Sequence, residues 1–412
     1  AAFWHLSQAL SSIIKPYRAL SMVFIRTLSL IERSGRSDGA EPMGNHVWDG
    51  AQPSRMECPL CSNFWNFVTV RGFAVFAWCL ALMVSCSDMK VDVPPLRKES
   101  DRNTDSFTLI VLPDTQGYAD VRHKETQKHW PEIGDQRSCF FKQTEWIKEN
   151  KQTRNIAMAI HVGDITQTDH DEEWKIADTA FKTIDQQVPY LLCSGNHDMG
   201  YSPRDRKTSH SRESRFSSYF TPSRFTKNPF YDSHFGSNRN LHFREAGRIE
   251  NYYLFLKAGG MKFLILSLEF KPRDETLAWA NQVVEQYSDH RTIIVTHAFL
   301  MGKEGERTGV DRYPVKGNSG ESIWKKFVSL HENIFLVLSG HAMEGLLTSQ
   351  GKHGNIVHQV QADYWYWDVP EIKAGSGFLR ILTFRPDENS IDVQTYSPVT
   401  DTFLTRPKSA FS

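Results

Sequence analysis

Five short apolar runs, each too brief for a helix, are each followed at once by a polar side chain able to bind a metal, and this recurrence constrains the chain more than any other feature. FTLIVL runs into Pro113-Asp114-Thr115-Gln116, IAMAIHV into Gly163-Asp164, PYLLCS into Gly195-Asn196-His197-Asp198, TIIV into Thr296-His297, and IFLVLS into Gly340-His341. Runs of this length, rich in Val, Ile and Leu, mark strands buried on both faces. Between them, Phe140 to Asn150 and Glu172 to Ile184 carry apolar residues three or four apart, the spacing of helices. The expectation is an α/β fold with a buried, largely parallel sheet. Ligands of such sheets bind beyond the carboxyl ends of the strands. Asp114, Gln116, Asp164, Asn196, His197, His297 and His341 are therefore expected on one rim, with Gly163, Gly195 and Gly340 allowing sharp turns out of the strands.

In this order the blocks resemble those of the calcineurin-like metallophosphoesterase superfamily, which read DxH, GD, GNH(D/E), H and GHxH. The likeness spans about Phe107 to Ser397. It implies a four-layer αββα sandwich of two mixed β-sheets, and a phosphoester hydrolase that attacks phosphate mono- or diesters with a metal-activated water. It also implies two divalent metal ions, Mn, Fe or Zn. Asp164 would bridge them, Asn196, His297 and His341 would complete one site, and Asp114 and Gln116 would belong to the other. His197 would stand beside the metals as general acid, oriented by Asp198. GFLRILTFRPDENSIDVQTYSP reads as two strands around a turn at Pro386 to Asn389. With YYLFLKAGGMKFLILSLEF, hinged at Gly259-Gly260, it is expected to supply the second sheet.

Two positions depart from the pattern, and both concern the first metal. Gln116 stands where His is usual, as in a DxQ branch of the superfamily, and Met343 stands where the second His of the last block is expected. An asymmetric centre follows, with an oxygen-rich site that suits harder cations and binds metal weakly. Two side chains are candidates to rescue it: Glu344, otherwise a solvated loop carboxylate, and His358 of NIVHQV, otherwise a satisfied strand histidine. The alternative function is a non-catalytic, surface-displayed binding module with a decayed first metal site. Met343 favours that alternative, and the retained His197 and Asp198 oppose it.

Between Tyr201 and Arg248 the chain leaves the alternating pattern for a long segment rich in Ser, Arg and aromatic residues, which either presents Arg forks to a phosphate or is a solvated insertion. Tyr364 to Trp367 is either a stacking wall or alternating core and edge residues, and His161 reads as structural. The equal numbers of basic and acidic residues, 48 and 48, argue against a bulk nucleic-acid binder, and the resemblance implies a phosphorylated small molecule or other phosphoester substrate as the partner. No Gly-rich phosphate loop, GxSxG nucleophile or dinucleotide fingerprint is present.

The region before the repeating pattern divides into three. Residues 1–70 read as an upstream or unstructured leader. Residues 71–86 read as a signal peptide, with Arg71 before the apolar GFAVFAWCLALMV, and MVSC resembling a bacterial lipobox that ends on Cys86. Residues 87–106 read as a polar, Pro-containing linker, ahead of one catalytic domain over 107–404. The expected location is exported, as a membrane-anchored lipoprotein or in the periplasm, with the lipid anchor as the sole membrane attachment. Four of the six cysteines fall in this region; CPLC has no second pair and is weak as a zinc motif, and Cys193, in an apolar run, reads as a buried thiol. Mass spectrometry of the exported protein should find a lipid-modified Cys86 as its first residue; a mature chain that still carries residue 70 would refute the processing.

Overall fold

A computed structural model describes residues 106–120, 136–204, 207–227, 241–301, 305–309, 313–365 and 375–412. The chain divides into Ala1–Lys90 and Val91–Ser412, and the described residues belong to the second unit. The leader, the signal peptide, the linker up to residue 105, and Tyr366 and Trp367 lie outside the described residues.

Two mixed sheets face each other. The first runs β15-β14-β13-β1-β2-β3, built from β1 (Phe107–Leu112), β2 (Ile156–His161), β3 (Tyr190–Leu192), β13 (Leu379–Arg385), β14 (Ser390–Ser397) and β15 (Thr402–Leu404). The second runs β11-β12-β10-β7-β6-β5-β4, built from β4 (Leu241–Phe243), β5 (Tyr252–Ala258), β6 (Met261–Leu268), β7 (Arg291–Thr296), β10 (Ile334–Ser339), β11 (Glu344–Gln350) and β12 (Ile356–Ala362). A separate pair, β8 (Leu300–Met301) and β9 (Glu306–Arg307), lies between β7 and β10 in sequence. Helices α2 (Arg137–Asn150) and α3 (Asp171–Lys182) pack with the first sheet; α6 (Asp274–Gln286) and α7 (Gly320–Lys326) pack on the second. Short helices α1 (Gln116–Ala119), α4 (Phe216–Tyr219) and α5 (Pro222–Thr226) fill loops. The fold is thus the four-layer αββα sandwich.

Burial on both faces explains the uninterrupted apolar runs. Successive strand residues point to opposite faces, so Phe263 and Ile265 of β6 join the core between the sheets while Leu264, Leu266 and Leu268 join the core under α6 and α7. In β10, Leu336 and Leu338 face inward and Val337 outward in the same way.

The expected division of strands is corrected here. The five ligand-bearing strands do not share one sheet: β1, β2 and β3 lie in the first, β7 and β10 in the second. The two hairpins read from the sequence do form, but they part company. The β13–β14 hairpin extends the first sheet, through antiparallel pairing of β13 with β1, and the β5–β6 hairpin extends the second, through parallel pairing of β6 with β7. Apolar runs give strand identity but not pairing partners, because every core strand here looks alike.

Hydrogen bonds between β3 and the β5–β6 hairpin tie the two sheets near the functional end. Tyr252 of β5 donates its hydroxyl to the Leu192 carbonyl at 3.0 Å and accepts the Leu192 amide at 2.7 Å, while Ser267 of β6 donates to the same carbonyl at 2.9 Å. Cys139 and Cys193 are buried thiols not joined in a disulfide, and burial pushes Cys193 well above its ordinary range. Among the described residues no helix is long and apolar enough to cross a membrane.

Packing continues past residue 404, where the sequence reading ended the domain. Phe411 exchanges backbone hydrogen bonds with Val393 at 2.7 and 3.0 Å. Ser409 donates to Glu344 at 2.6 Å, and Arg406 pairs with Glu344 at 3.0 Å. Glu344 is buried at the start of β11, within 3.9 Å of the fully buried Arg380 guanidinium. It is therefore an internal counter-ion, not a loop carboxylate. Glu344→Ala leaves Arg380 without that charge and should cost about 3 kcal/mol, read as a lower denaturation midpoint.

Candidate metal centre

Asp164, Asn196, His297 and His341, one residue from each of four strand ends, converge at the seam between the sheets. One ligand atom from each of Asp164, His297 and His341 lies within 4.8 Å of the other two. His297 is fully buried, and its Nδ1 lies 2.9 Å from the Val162 carbonyl. A carbonyl only accepts, so Nδ1 carries the proton and the neutral ring turns the lone pair of Nε2 inward. That Nε2 faces Asn196 Oδ1 and Asp164 Oδ2, both at 3.1 Å. His341 Nδ1 approaches the same Asn196 Oδ1 at 2.8 Å. Imidazole nitrogens, an amide oxygen and a carboxylate gathered this closely form a donor set that suits a metal cation. Burial disfavours a charged His297, but Asp164 outweighs it and raises the ring's affinity for a proton. Without a metal, a proton is the only available substitute.

The loops that deliver these side chains are strained. Asp164 and His341 have φ of 51° and 81°, left-handed values unusual for non-glycine residues, held here by their surroundings. Gly163 has φ of 102° and turns the chain as expected, whereas Gly195 and Gly340 do not share its positive φ. They are glycine for lack of room. A Cβ on Gly195 would stand 2.0 Å from Asp164 Oδ1, and one on Gly340 would stand 2.1 Å from Asp114 Oδ1.

Asp114 and Gln116 follow β1 and are buried. The Asp114 carboxylate accepts the His341 amide at 3.2 and 3.1 Å, which ties the first strand end to the last. Gln116 Oε1 has no hydrogen-bond partner among the described residues. A buried orphan acceptor two residues along the chain from the Asp114 carboxylate fits a divalent cation. Burial, then Asp363, then Asp164 push the Asp114 carboxyl well up, whereas the nearby imidazoles, His297 foremost, outweigh burial and keep Asp164 low.

Asp198 differs from its expected role. Its oxygens accept Gly195 N at 2.8 Å, Ile165 N at 3.1 Å, and Thr166 N and Oγ1 at 2.8 and 2.9 Å. It braces the turns carrying Asp164 and Asn196, and it does not orient His197. The His197 ring is positioned by the Gln167 carbonyl, 2.8 Å from Nδ1, and its amide donates to Asp164 Oδ1 at 2.8 Å. The protonated Nδ1 leaves Nε2 as the atom for chemistry. His161 is structural, as expected: its Nε2 meets Thr115 Oγ1 at 3.0 Å and its Nδ1 accepts Gly163 N at 3.2 Å, pinning the first two loops together.

Neither rescue candidate reaches the centre. Glu344 is held by Arg406, Ser409 and Tyr364. His358 is exposed on β12, where its Nδ1 meets Thr348 Oγ1 at 3.3 Å. Four described arginines of the insertion are engaged with structural acids: Arg212 with Glu269, Arg215 with Asp169, Arg224 with Asp178 and Asp185, and Arg248 with Glu250. A cavity of about 310 Å³ beside them, lined by Arg212, Glu245, Arg248, Glu250, Glu269 and Arg273, is filled with charges already paired to one another. The segment works as scaffold along this stretch and presents no spare Arg fork there.

Sequence reasoning missed two residues. The Tyr313 hydroxyl lies 3.4 Å from His341 Nε2, and with Phe270 it walls the histidine pair. Asp363, fully buried at the end of β12, acts electrostatically on Asp114 and is acted on by Asp164. The sign of the latter was present: IVHQVQA is a sixth apolar run ending in a carboxylate, obscured by its polar alternate residues.

With the site described, the family follows. Residues 107–345 match the sequence pattern of the calcineurin-like phosphoesterase family, and the chain belongs to that family, a class of hydrolases acting on phosphoesters. Over 316 residues it is 30% identical to the uncharacterized protein YvnB of Bacillus subtilis (strain 168); the match takes in 74% of this chain but spans only 20% of that protein. Among solved structures it is similar to the purple acid phosphatase PPD1 of yellow lupin (Lupinus luteus) seeds, at 12% identity and TM-score 0.41, covering 73% of this chain and 52% of that one. It is also similar to a dimetal phosphatase from Danio rerio, at 13% identity and TM-score 0.40, covering 73% and 98%.

The metal-stripped protein should gain stability as pH falls from about 8.5 to 7. Burial and then Asp164 hold Asp363 up to about 8, and His297 is raised as well, so the folded chain keeps protons that the unfolded chain releases at ordinary values. Below the ordinary histidine value of 6.5, His161 and His341 oppose this trend, since burial and then His297 depress both to about 3 and they stay neutral when folded. Thermal melts with and without Mn²⁺ check this: the loaded protein, its carboxylates ionised by metal, should lack the gain.

Proposed function

We propose that the chain is a metal-dependent phosphoesterase with a dinuclear centre, hydrolysing phosphate mono- or diesters of small molecules by direct attack of water. The observation that carries this reading is the convergence of His297 Nε2, His341 Nδ1, Asp164 Oδ2 and Asn196 Oδ1, which meet in contacts of 2.8 to 3.1 Å at the seam between the sheets. Asp114, Gln116 and the shared Asp164 supply oxygens for a second cation beside it. Two cations in such a cradle supply a water of lowered pKa and neutralise the charge of an in-line displacement.

The chain's own groups do the rest. Val162 and Asp198 hold the ligand loops in place before substrate arrives, so little reorganisation accompanies the reaction. His197 is half-buried, its Nδ1 is engaged by the Gln167 carbonyl and its backbone amide donates to Asp164, which leaves Nε2 as the ring atom to donate to the leaving oxygen. Phe270 and Tyr313 exclude water from one side of the histidine pair. Export and lipid anchoring through Cys86 belong to the same proposal, which places the site outside the cytoplasm.

Hydrolysis of chromogenic mono- and diesters with added Mn²⁺ tests the reading. Asp164→Ala should abolish turnover, and whichever substrate class the native chain prefers identifies the ester type. His197→Gln should lower kcat about a hundredfold on alkyl phosphates and far less on nitrophenyl esters, whose leaving group needs no proton. Equal loss on both substrates would remove His197 from the role of acid, and turnover by Asp164→Ala at the native rate would sink the enzyme reading.

A further inference from the structure

The first cation site is short of donors wherever Met343 replaces the family's second histidine. The Met343 side chain, half-buried, packs instead against the cluster of Ala362, Tyr364, Phe378 and Leu404. The architecture brings another residue to the vacated side. Strands β10 and β12 are parallel neighbours, and Ser339 pairs with Gln361. Two residues beyond that pair each strand releases a polar side chain, His341 from β10 and Asp363 from β12. Gln361 locks the two exits together, donating Nε2 to the Gly340 carbonyl at 2.9 Å and to the Leu300 carbonyl at 2.8 Å.

From this placement we propose that Asp363 is a ligand of the first cation, joining Asp114, Gln116 and the shared Asp164 in an all-oxygen site. The inference rests on the dinuclear reading above for the existence of that site. Asp363 is fully buried, its Oδ1 meets only a long contact from the Trp365 amide at 3.4 Å, and its Oδ2 has no hydrogen-bond partner among the described residues. Gln116 Oε1 is the second buried orphan of the region. The two are linked through packing, since the Trp365 ring covers Gly117 so closely that a Cβ there would meet it at 2.0 Å. A carboxylate buried without a partner is costly, and Asp363 repels Asp114 while being repelled by Asp164. Three mutually repelling carboxylates and an orphan amide oxygen are what a hard divalent cation requires. Charge agrees with the chemistry: three carboxylates against two divalent ions leave one positive charge, suited to a phosphate ester.

This assignment replaces the weak first site expected from the sequence with a complete one, and it makes Mn²⁺ or Mg²⁺ the favoured occupant. The test is Mn²⁺ binding by the full chain after chelator treatment, measured by equilibrium dialysis with elemental analysis, for the native protein, Asp363→Asn, Asp363→Ala and Glu344→Gln. The native chain should bind two ions and Glu344→Gln should keep both. Each Asp363 variant should retain one, with the other weakened at least tenfold. Two ions bound to both Asp363 variants at native affinity would overturn the assignment while leaving the dinuclear reading intact. Fewer than two on the native chain would defeat the dinuclear reading and this assignment with it. Folding is read separately: the stripped Asp363→Asn protein should melt no lower than the stripped native protein, because the substitution relieves repulsion. A lower melting temperature together with an unchanged response to Mn²⁺ would make Asp363 a structural residue and overturn the proposal.

Discussion

The structure depends on one electrostatic constraint: buried oxygen and nitrogen ligand atoms are forced together at the seam of two sheets, with no Lys or Arg side chain paired to them among the described residues. Asp114, Asp164 and Asp363 are fully or almost fully buried. Among the described residues, Arg406, Arg212, Arg215 and Arg224 are spent elsewhere, on Glu344, Glu269, Asp169 and Asp178. These three carboxylates act on one another electrostatically, and an accumulation of buried negative charge of this kind suits a bound cation.

That accumulation explains features of the surrounding fold that packing alone does not require. Left-handed Asp164 and His341, and glycines at 195 and 340 that tolerate no Cβ, are local costs of bringing loop backbone close to a crowded centre. Asp198 offsets part of that cost by gathering three amides and a hydroxyl from two loops. Burial, and then Asp164, raise its carboxyl to about 6, so it braces the loops while feeling the same accumulation of negative charge. The tie through Tyr252 and Leu192 fixes the distance between sheets where it matters, because the centre draws ligands from both.

Much of this was legible in the sequence, and what was not has a physical reason. Strand identity and the polar side chain at each strand end could be read because burial on both faces demands continuous apolar runs and the change to polar residues marks where each strand leaves the core. Sheet membership could not, since β1 and β7 present the same apolar pattern though they lie in different sheets. The placing of Glu344 was hidden because its partners, Arg380, Arg406 and Ser409, are distant in sequence. Asp198 could be recognised as important but not assigned, because its role is expressed through backbone amides that carry no sequence signature.

Asp363 illustrates the limit most clearly. Its strand, IVHQVQA, alternates because the outward positions Ile356 and His358 are exposed near its start. Further along, β12 becomes buried on both faces, and Gln359 and Gln361 spend their amides on internal carbonyls and hydroxyls, which disguises a core strand as a surface one. Read by period alone it is a half-exposed strand whose histidine attracts notice; placed beside β10 it is the sixth arm of the centre, and its terminal carboxylate arrives level with His341. The replacement of a histidine by Met343 therefore need not signal decay. A donor lost from the loop after β10 and a donor gained from the adjacent strand end leave the number of ligands unchanged, while shifting the first site from mixed to all-oxygen chemistry and so shifting which cation it selects.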